Sequence, residues 1–334
     1  MTTLIDDYDG AFFDLDGVIY LSAAAVEGAV DTLAELVERE VRVLYVTNNA
    51  ARDAQTVVDH LRSLGFAADS DRVLTSAQVG AAGLARELPP GAKVLVAGSR
   101  SLSDLVAEAG LTPVGSADDD PVAVIQGYEP KLDWPMLDEV CLAIQRGARW
   151  YATNDDRSRP TDRGIVPGAG GMIAAVAAAM GGRPITFGKP FRPMLEEAVR
   201  RSGASRPIFV GDRLDTDVLG AHRAGLDSLL VFSGAHGKAD LVAADASHRP
   251  TYIGADVRAL LEPPRTAQLT DKASRCGAVI AEIRDGAATF LDVPDTLPGQ
   301  MDALWALTTL SWRAADAGHP VATDAALAQL TLVH

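Results

Sequence analysis

Short apolar segments alternate with amphipathic helical ones from the start of the chain, and no other feature limits its fold so strongly. Ala11-Phe12-Phe13 has the character of a buried strand, and a helix is predicted near Gly28 to Arg39. Val41 to Val46 predicts the next strand and Asp53 to Leu64 the next helix. The pattern returns with Pro207-Ile208-Phe209-Val210, a helix near Asp215 to Ala224 and a strand over Ser228 to Phe232. Alternation of this kind builds a parallel sheet covered by helices on both faces. In such sheets ligands sit beyond the carboxyl ends of the strands, so chemically active residues should follow the strands directly.

The middle of the chain has strand–helix units of its own. Lys93 to Ala97 and Pro121 to Gln126 read as strands, Ser101 to Ala109 and Asp133 to Arg146 as helices. This is too much structure for a loop and predicts an inserted domain. Residues 1–79 and 183–262 are then the core, 80–182 the insert, and Pro263-Pro264 a linker to a separate tail, 265–334. In the tail, Val279 to Arg284 and Ala287 to Val293 flank Asp285-Gly286, a strong hairpin signal. A helix from about Gly299 to Ala317 follows, with Met301, Leu304, Trp305 and Trp312 on one face, and Asp324 is expected to cap a last short helix. No catalytic constellation occurs there, so an interaction or regulatory role is expected. The fold class is α/β: a Rossmann-like parallel-sheet core, an inserted α/β domain and a small α+β C-terminal extension.

Composition narrows the partners. Over 334 residues the chain is 48% hydrophobic and 22% charged, ample for packed cores. A net charge of −15 argues against a nucleic-acid surface, which needs a basic stripe. An anion site must therefore be locally positive, made by a metal ion, a few cations and backbone N–H groups. Lysine occurs only at 93, 131, 189, 238 and 272, so a lysine inside a motif is informative. Cys141 and Cys276 form neither a metal-ligand spacing nor a disulfide framework. Residues 1–7 lack signal-peptide character, and no apolar run approaches a membrane span, so a reducing, cytoplasmic setting is expected.

Four clusters carry chemistry, and each follows a predicted strand. In Phe13-Asp14-Leu15-Asp16-Gly17-Val18 two carboxylates at i and i+2 repel unless a cation or proton intervenes. Mg²⁺ with one ligand and one acid/base accounts for the pair; an Asp-Gly turn accounts for it as well. Thr47-Asn48-Asn49 offers a hydroxyl, amides and N–H groups to phosphoryl oxygens, or helix caps. Gly188-Lys189-Pro190 offers a point charge, or a solvated turn. In Gly211-Asp212-Arg213-Leu214-Asp215-Thr216-Asp217, Asp212 stands where it can complete a metal site with Asp14. Asp217 can support a ligand or a backbone group, and Asp215 suits a helix start. Gly168 to Met172 has the wrong spacing for a dinucleotide loop, no Gly-Lys-Ser/Thr loop exists, and the histidines lack zinc spacing.

Taken in order, these four runs resemble the motifs of the haloacid dehalogenase (HAD) superfamily of phosphatases, over about Asp9 to Gly234. An insert between the second and third motifs resembles the large cap of the NagD-like subfamily, as do Ala152 to Asp156 and Val166 to Gly170. The tail on such a core is similar to actinobacterial glycerol-3-phosphate phosphatases. The resemblance implies Asp14 as nucleophile and Asp16 as general acid/base. It implies Thr47, Asn48 and Lys189 on the phosphoryl group, and Mg²⁺ held by Asp14, the Asp16 carbonyl and Asp212, with Asp217 behind them. The cap would choose the leaving group, with candidates in Gln126 to Glu129 and Asn154 to Arg159, chiefly Tyr128, Glu129, Asn154 and Asp156. Ala50 and Phe191 depart from the pattern and bear on substrate, not on the chemical groups. The implied substrate is a small phosphorylated metabolite, glycerol 3-phosphate first and 2-phosphoglycolate second. The intact acids and lysine speak against a non-catalytic binding module, and the large insert against a mutase. Copies of the chain would associate through the cap or the C-terminal segment.

Overall fold

The computed structural model describes residues 2–51, 53–161 and 163–334. Met1, where the amino-terminal reading starts, lies outside them. The chain forms two compact units, one of residues 1–43 with 204–334, the other of residues 44–203.

In the first unit four parallel strands lie in the order Tyr252–Gly254, Asp227–Val231, Pro207–Gly211, Gly10–Phe13. The register sets Phe13 beside Val210, Val210 beside Leu229 and Leu230 beside Ile253. Phe12, Phe13, Phe209, Val210, Leu229 and Leu230 are wholly buried, the continuous apolar character that a covered parallel strand requires. The helix Ala29–Glu38 buries Ala29, Thr32, Leu33 and Leu36, one stripe at helical spacing.

The C-terminal part of this unit is an antiparallel sheet in the order Ala267–Leu269, Ala273–Cys276, Val279–Arg284, Ala287–Phe290. Asp285 (φ 50°) and Gly286 (φ 79°) make the expected two-residue turn, where positive φ at both positions matches the twist of the strands. The helix Leu297–Asp316 follows, with Pro298 in its first turn and Thr296 accepting from Gly299 N–H. Met301, Leu304, Leu307 and Leu310 of this helix share one hydrophobic cluster with Leu214, Val218, Leu230, Leu241 and Ile253. Burying each such side chain contributes about 1.5–3 kcal/mol. Trp312 Nε1 donates to the Leu241 carbonyl (3.2 Å), and Arg249 forks onto Asp316 (2.6 and 2.8 Å) while lying over the Trp312 ring. The irregular stretch around Pro263-Pro264 thus joins these parts without insulating them. The expected cap at Asp324 is different in the structure: Thr323 precedes the helix Asp324–Leu327, and no side chain caps it. Asp324 instead stands inside the first turn, where an acid suits the dipole.

In the second unit a five-stranded parallel sheet runs Ile185–Thr186, Arg149–Ala152, Ala123–Gln126, Lys93–Ala97, Thr112–Val114. The helix Trp134–Gln145 starts where Asp133 accepts from Met136 N–H (3.2 Å) and Pro135 occupies the first turn. Its Leu137, Val140 and Ala143 pack with Leu95, Val124 and Trp150. The buried Trp150 indole donates to Gln126 Oε1 at 2.7 Å, so its one polar group is satisfied. Strand Arg42–Thr47 pairs in parallel with Val73–Thr75, and Thr75 with Gln78 forms a reciprocal cap on the helix Ser76–Glu87. Among the described residues no helix is long and apolar enough to cross a membrane.

Candidate active site

Asp14 comes directly after the strand Gly10–Phe13, and its N–H extends the ladder to the Val210 carbonyl (2.9 Å). Asp212 follows Pro207–Gly211, so the parallel register of Phe13 with Val210 delivers both acids to the same sheet end. Asp217 arrives by a different route. Residues Leu214–Val218 form a π-helical turn in which Val218 N–H reaches back five residues to the Arg213 carbonyl (3.1 Å). The widened turn sends the Asp217 carboxylate back to the strand end. There its Oδ2 accepts from Asp212 N–H (3.2 Å) and Arg213 N–H (3.1 Å).

The result is a trio: Asp14, Asp212 and Asp217 offer carboxylate oxygens all within 4.8 Å of one another. Asp212 and Asp217 are almost fully buried. Glycines make room for the approach. A Cβ at Gly17, where φ is +91°, would stand 2.4 Å from Asp212 Oδ2, and one at Gly234 only 2.0 Å from it. At Gly211 a Cβ would stand 2.2 Å from the Asp217 Cβ. Three carboxylates so close repel one another unless a cation or a shared proton compensates. A donor set of hard oxygens in a cradle closed by glycines fits a hard divalent cation of the Mg²⁺ or Ca²⁺ kind. The Asp16 side chain is exposed and stands outside the trio, its backbone bridged to Tyr20. Asp215 lies on the outer side, paired with Arg213 through two contacts (3.1 and 2.8 Å). Burial pushes its carboxyl up, but the Arg213 guanidinium outweighs this and holds it below the usual carboxylate range.

Within the second unit the other expected residues gather around one side chain. Asn48 Oδ1 accepts from Lys189 N–H (2.8 Å), while Asn48 Nδ2 donates to the Lys189 carbonyl (2.9 Å) and to Asp156 Oδ1 (3.0 Å). The Asn48 carbonyl accepts from Asn154 Nδ2 (2.7 Å) and Ser76 Oγ (2.6 Å). Asn48 is thus a brace between segments 106 to 141 residues apart. Gly188 is a glycine for a reason of space: a Cβ there would meet Asn48 Oδ1 and the Thr153 carbonyl, each at 2.7 Å. Thr47 is buried, its Oγ1 accepting from Asn49 N–H (3.1 Å), and the Lys189 side chain is 2% exposed. Among the cap candidates, Asn154 and Asp156 spend polar atoms on holding Asn48. Tyr128 lies under the Arg159 guanidinium (5.0 Å), and Glu129 Oε1 accepts from Lys131 N–H (2.9 Å).

The loop after the strand Asp227–Val231 carries none of the four motifs, yet it holds Asp212. Ala235 N–H donates to Asp212 Oδ2 (2.6 Å), His236 N–H to the Asp212 carbonyl (3.2 Å), and Ser233 Oγ to the Gly17 carbonyl (2.7 Å). The His236 ring accepts from Leu214 N–H at 2.7 Å. Its signal was positional: Ser-Gly-Ala-His-Gly at the carboxyl end of the next parallel strand.

Comparison with known proteins now decides the family. A haloacid dehalogenase-like hydrolase profile matches residues 11–112 and a HAD-hydrolase-like profile residues 186–260. D-glycerol 3-phosphate phosphatase of Mycobacterium tuberculosis is 44% identical over 260 residues, 78% of this chain and 73% of that protein. The chain belongs to the haloacid dehalogenase-like hydrolases. Within that family, 5'-nucleotidase YutF of Bacillus subtilis is 33% identical over 73% of this chain and 94% of its own length. The crystal structure of glycerol phosphate phosphatase from M. tuberculosis in complex with magnesium superposes with a TM-score of 0.88 at 37% identity. That match covers 99% of this chain and 100% of the other, so it takes in the C-terminal sheet and helix. The trio thus sits on a haloacid dehalogenase-like core at the carboxyl ends of the adjacent strands Gly10–Phe13 and Pro207–Gly211.

Proposed function

We propose that this chain is a Mg²⁺-dependent phosphatase that hydrolyses glycerol 3-phosphate to glycerol and phosphate through an aspartyl-phosphate. The observation that carries the reading is the trio Asp14, Asp212 and Asp217 at adjacent parallel strand ends. Asp14, Asp212 and the Asp16 carbonyl would hold the ion, with Asp217 beside them. When bound, the ion supplies positive charge that offsets repulsion between an anionic nucleophile and an anionic ester.

A carboxylate oxygen of Asp14 attacks phosphorus, forming the acyl-phosphate bond as the bond to the alcohol oxygen breaks. Asp16, exposed beside this carboxylate in sequence, gives its proton to the leaving oxygen. It then takes a proton from the water that attacks phosphorus, and the P–O bond to Asp14 breaks, releasing phosphate and free carboxylate. Thr47, the Asn48 N–H and Lys189 are assigned to the phosphoryl oxygens, and their fixed positions supply most of the electrostatic effect. Residues 80–182 are assigned to substrate choice, with Tyr128 and Glu129 as contacts and Asn154 and Asp156 acting through Asn48. The match to M. tuberculosis glycerol phosphate phosphatase, in sequence and over the full chain in structure, supports glycerol 3-phosphate as substrate. The 5'-nucleotidase relative makes nucleoside monophosphates the second class to assay.

Phosphate release should require Mg²⁺, and kcat/KM should rank glycerol 3-phosphate above 2-phosphoglycolate and nucleoside 5'-monophosphates. A nucleotide at the head of that ranking overturns the substrate. Inactivity on the whole panel overturns the phosphatase.

A further inference from the structure

Six residues, Ser233 to Lys238, connect three parts of the first unit. At the near end Ser233 Oγ donates to the Gly17 carbonyl, and in the middle Ala235 and His236 donate N–H groups to Asp212. At the far end Lys238 N–H donates to the His334 carbonyl (2.8 Å). Its ammonium donates to the carbonyls of Leu330 and Val333, each at 2.6 Å. In a chain of charge −15 with five lysines, the ammonium of this one is spent on two backbone carbonyls.

The segment it grips is itself packed and hydrogen-bonded. Leu330 and Val333 are buried in the cluster shared with the helix Leu297–Asp316, and Leu332 N–H donates to Gln300 Oε1 (2.8 Å). Gly234 and Gly237 flank the two donors to Asp212, so Lys238 adds an anchor beyond the second glycine to those that Ser233 and the His236 ring already make. We infer that Lys238, its ammonium clamped on the carbonyls of Leu330 and Val333, is a positioning residue that holds the Ser233–Lys238 loop, and through it the Asp212 carboxylate, in its ligand orientation. The C-terminal sheet and helix thereby become the footing of the metal site. The inference rests on the reading of Asp212 as a metal ligand.

The test uses the full chain with Lys238→Met, which keeps the apolar stem and removes the donors, and Lys238→Arg, which restores them. Outer groups that orient ligands typically change metal affinity about 10–100-fold, so Mg²⁺ binding by calorimetry should weaken roughly tenfold in Lys238→Met. Amide exchange at Ala235 and His236 should quicken, KM at saturating Mg²⁺ should stay within about twofold, and Lys238→Arg should recover most of the loss. A folded Lys238→Met chain with wild-type Mg²⁺ affinity and wild-type exchange at both amides overturns the inference. If the unaltered chain binds no Mg²⁺ while Lys238→Met still exchanges faster, the metal assignment fails and the loop coupling stands.

Discussion

The carboxylate trio and the Asn48 cluster are both polar, buried and fed by strand ends, yet they are organised in opposite ways. The acids are fixed by backbone: N–H groups of Asp212, Arg213 and Ala235 grip them, and glycines at 17, 211 and 234 set the clearance. The lysine cluster is fixed by one side chain, Asn48, which bonds to Lys189 in both directions and to Asp156. Backbone grips tolerate changes of side chain but not of volume. A side-chain brace tolerates neither its own loss nor its own charge.

The largest effect that comparison predicts is chemical. Asp14→Asn should lower kcat by at least about four orders of magnitude, because a nucleophile is removed. Without Mg²⁺ its melting temperature should equal or exceed that of the wild type, since one of three repelling carboxylates is gone. A marked loss of stability in the metal-free protein would show that the trio is not strained by its own charge.

Volume comes next. Gly234→Ala places a Cβ 2.0 Å from Asp212 Oδ2, so loop or carboxylate must move. Relieving that contact takes a shift of about 1 Å, which should cost about a hundredfold in kcat/KM. Calorimetry should show weaker Mg²⁺ binding, and wild-type affinity would mean the cradle yields without disturbing Asp212. In the other cluster Asn48→Ala deletes three hydrogen bonds of a buried brace, costing about 2–3 kcal/mol of stability in denaturant titration. Asn48→Asp should be worse, because it loses both donors and sets a carboxylate against Asp156. Equal stability of the two variants would break the view of Asn48 as a brace.

The contrast also explains what could be read from residues alone. Asp14 and Asp212 announce themselves because each directly follows an apolar strand, Thr47 closes one and Lys189 stands three residues past another, and strand character is local. The hairpin at Asp285-Gly286 is local too, and it forms as read. What binds Asn48 to Asn154, Asp156 and Lys189 is packing across more than a hundred residues, which no window along the chain contains. The π-helical turn was hidden for another reason: Leu214 to Val218 has ordinary helix-start composition, and one extra residue per turn leaves no trace in it. The packing of the tail is hidden in the same way as the Asn48 contacts. Pro263-Pro264 reads as a boundary, but Leu304 and Leu241 share a core that only the folded chain assembles.

The smallest prediction separates two acids two residues apart. Asp217 has its Oδ2 on backbone N–H groups and its carboxylate in the trio, whereas Asp215 faces Arg213 with half its side chain in solvent. Asp217→Asn should weaken Mg²⁺ binding by about tenfold or more. Asp215→Asn should leave Mg²⁺ affinity alone and change stability by well under 1 kcal/mol, roughly the worth of an exposed, screened pair. The sign of its pH dependence follows from the direction of the shift. A carboxyl held below its unfolded value stabilises the fold above the ordinary carboxylate range, and that contribution is lost as pH falls through the lowered value. Wild type should therefore exceed Asp215→Asn slightly at neutral pH, with the gap closing in acid. Denaturant titrations from neutral to acid pH read this directly. A gap that widens in acid would mean the Arg213 contact does not govern Asp215, and that the division between ligand and bystander in this turn is drawn in the wrong place.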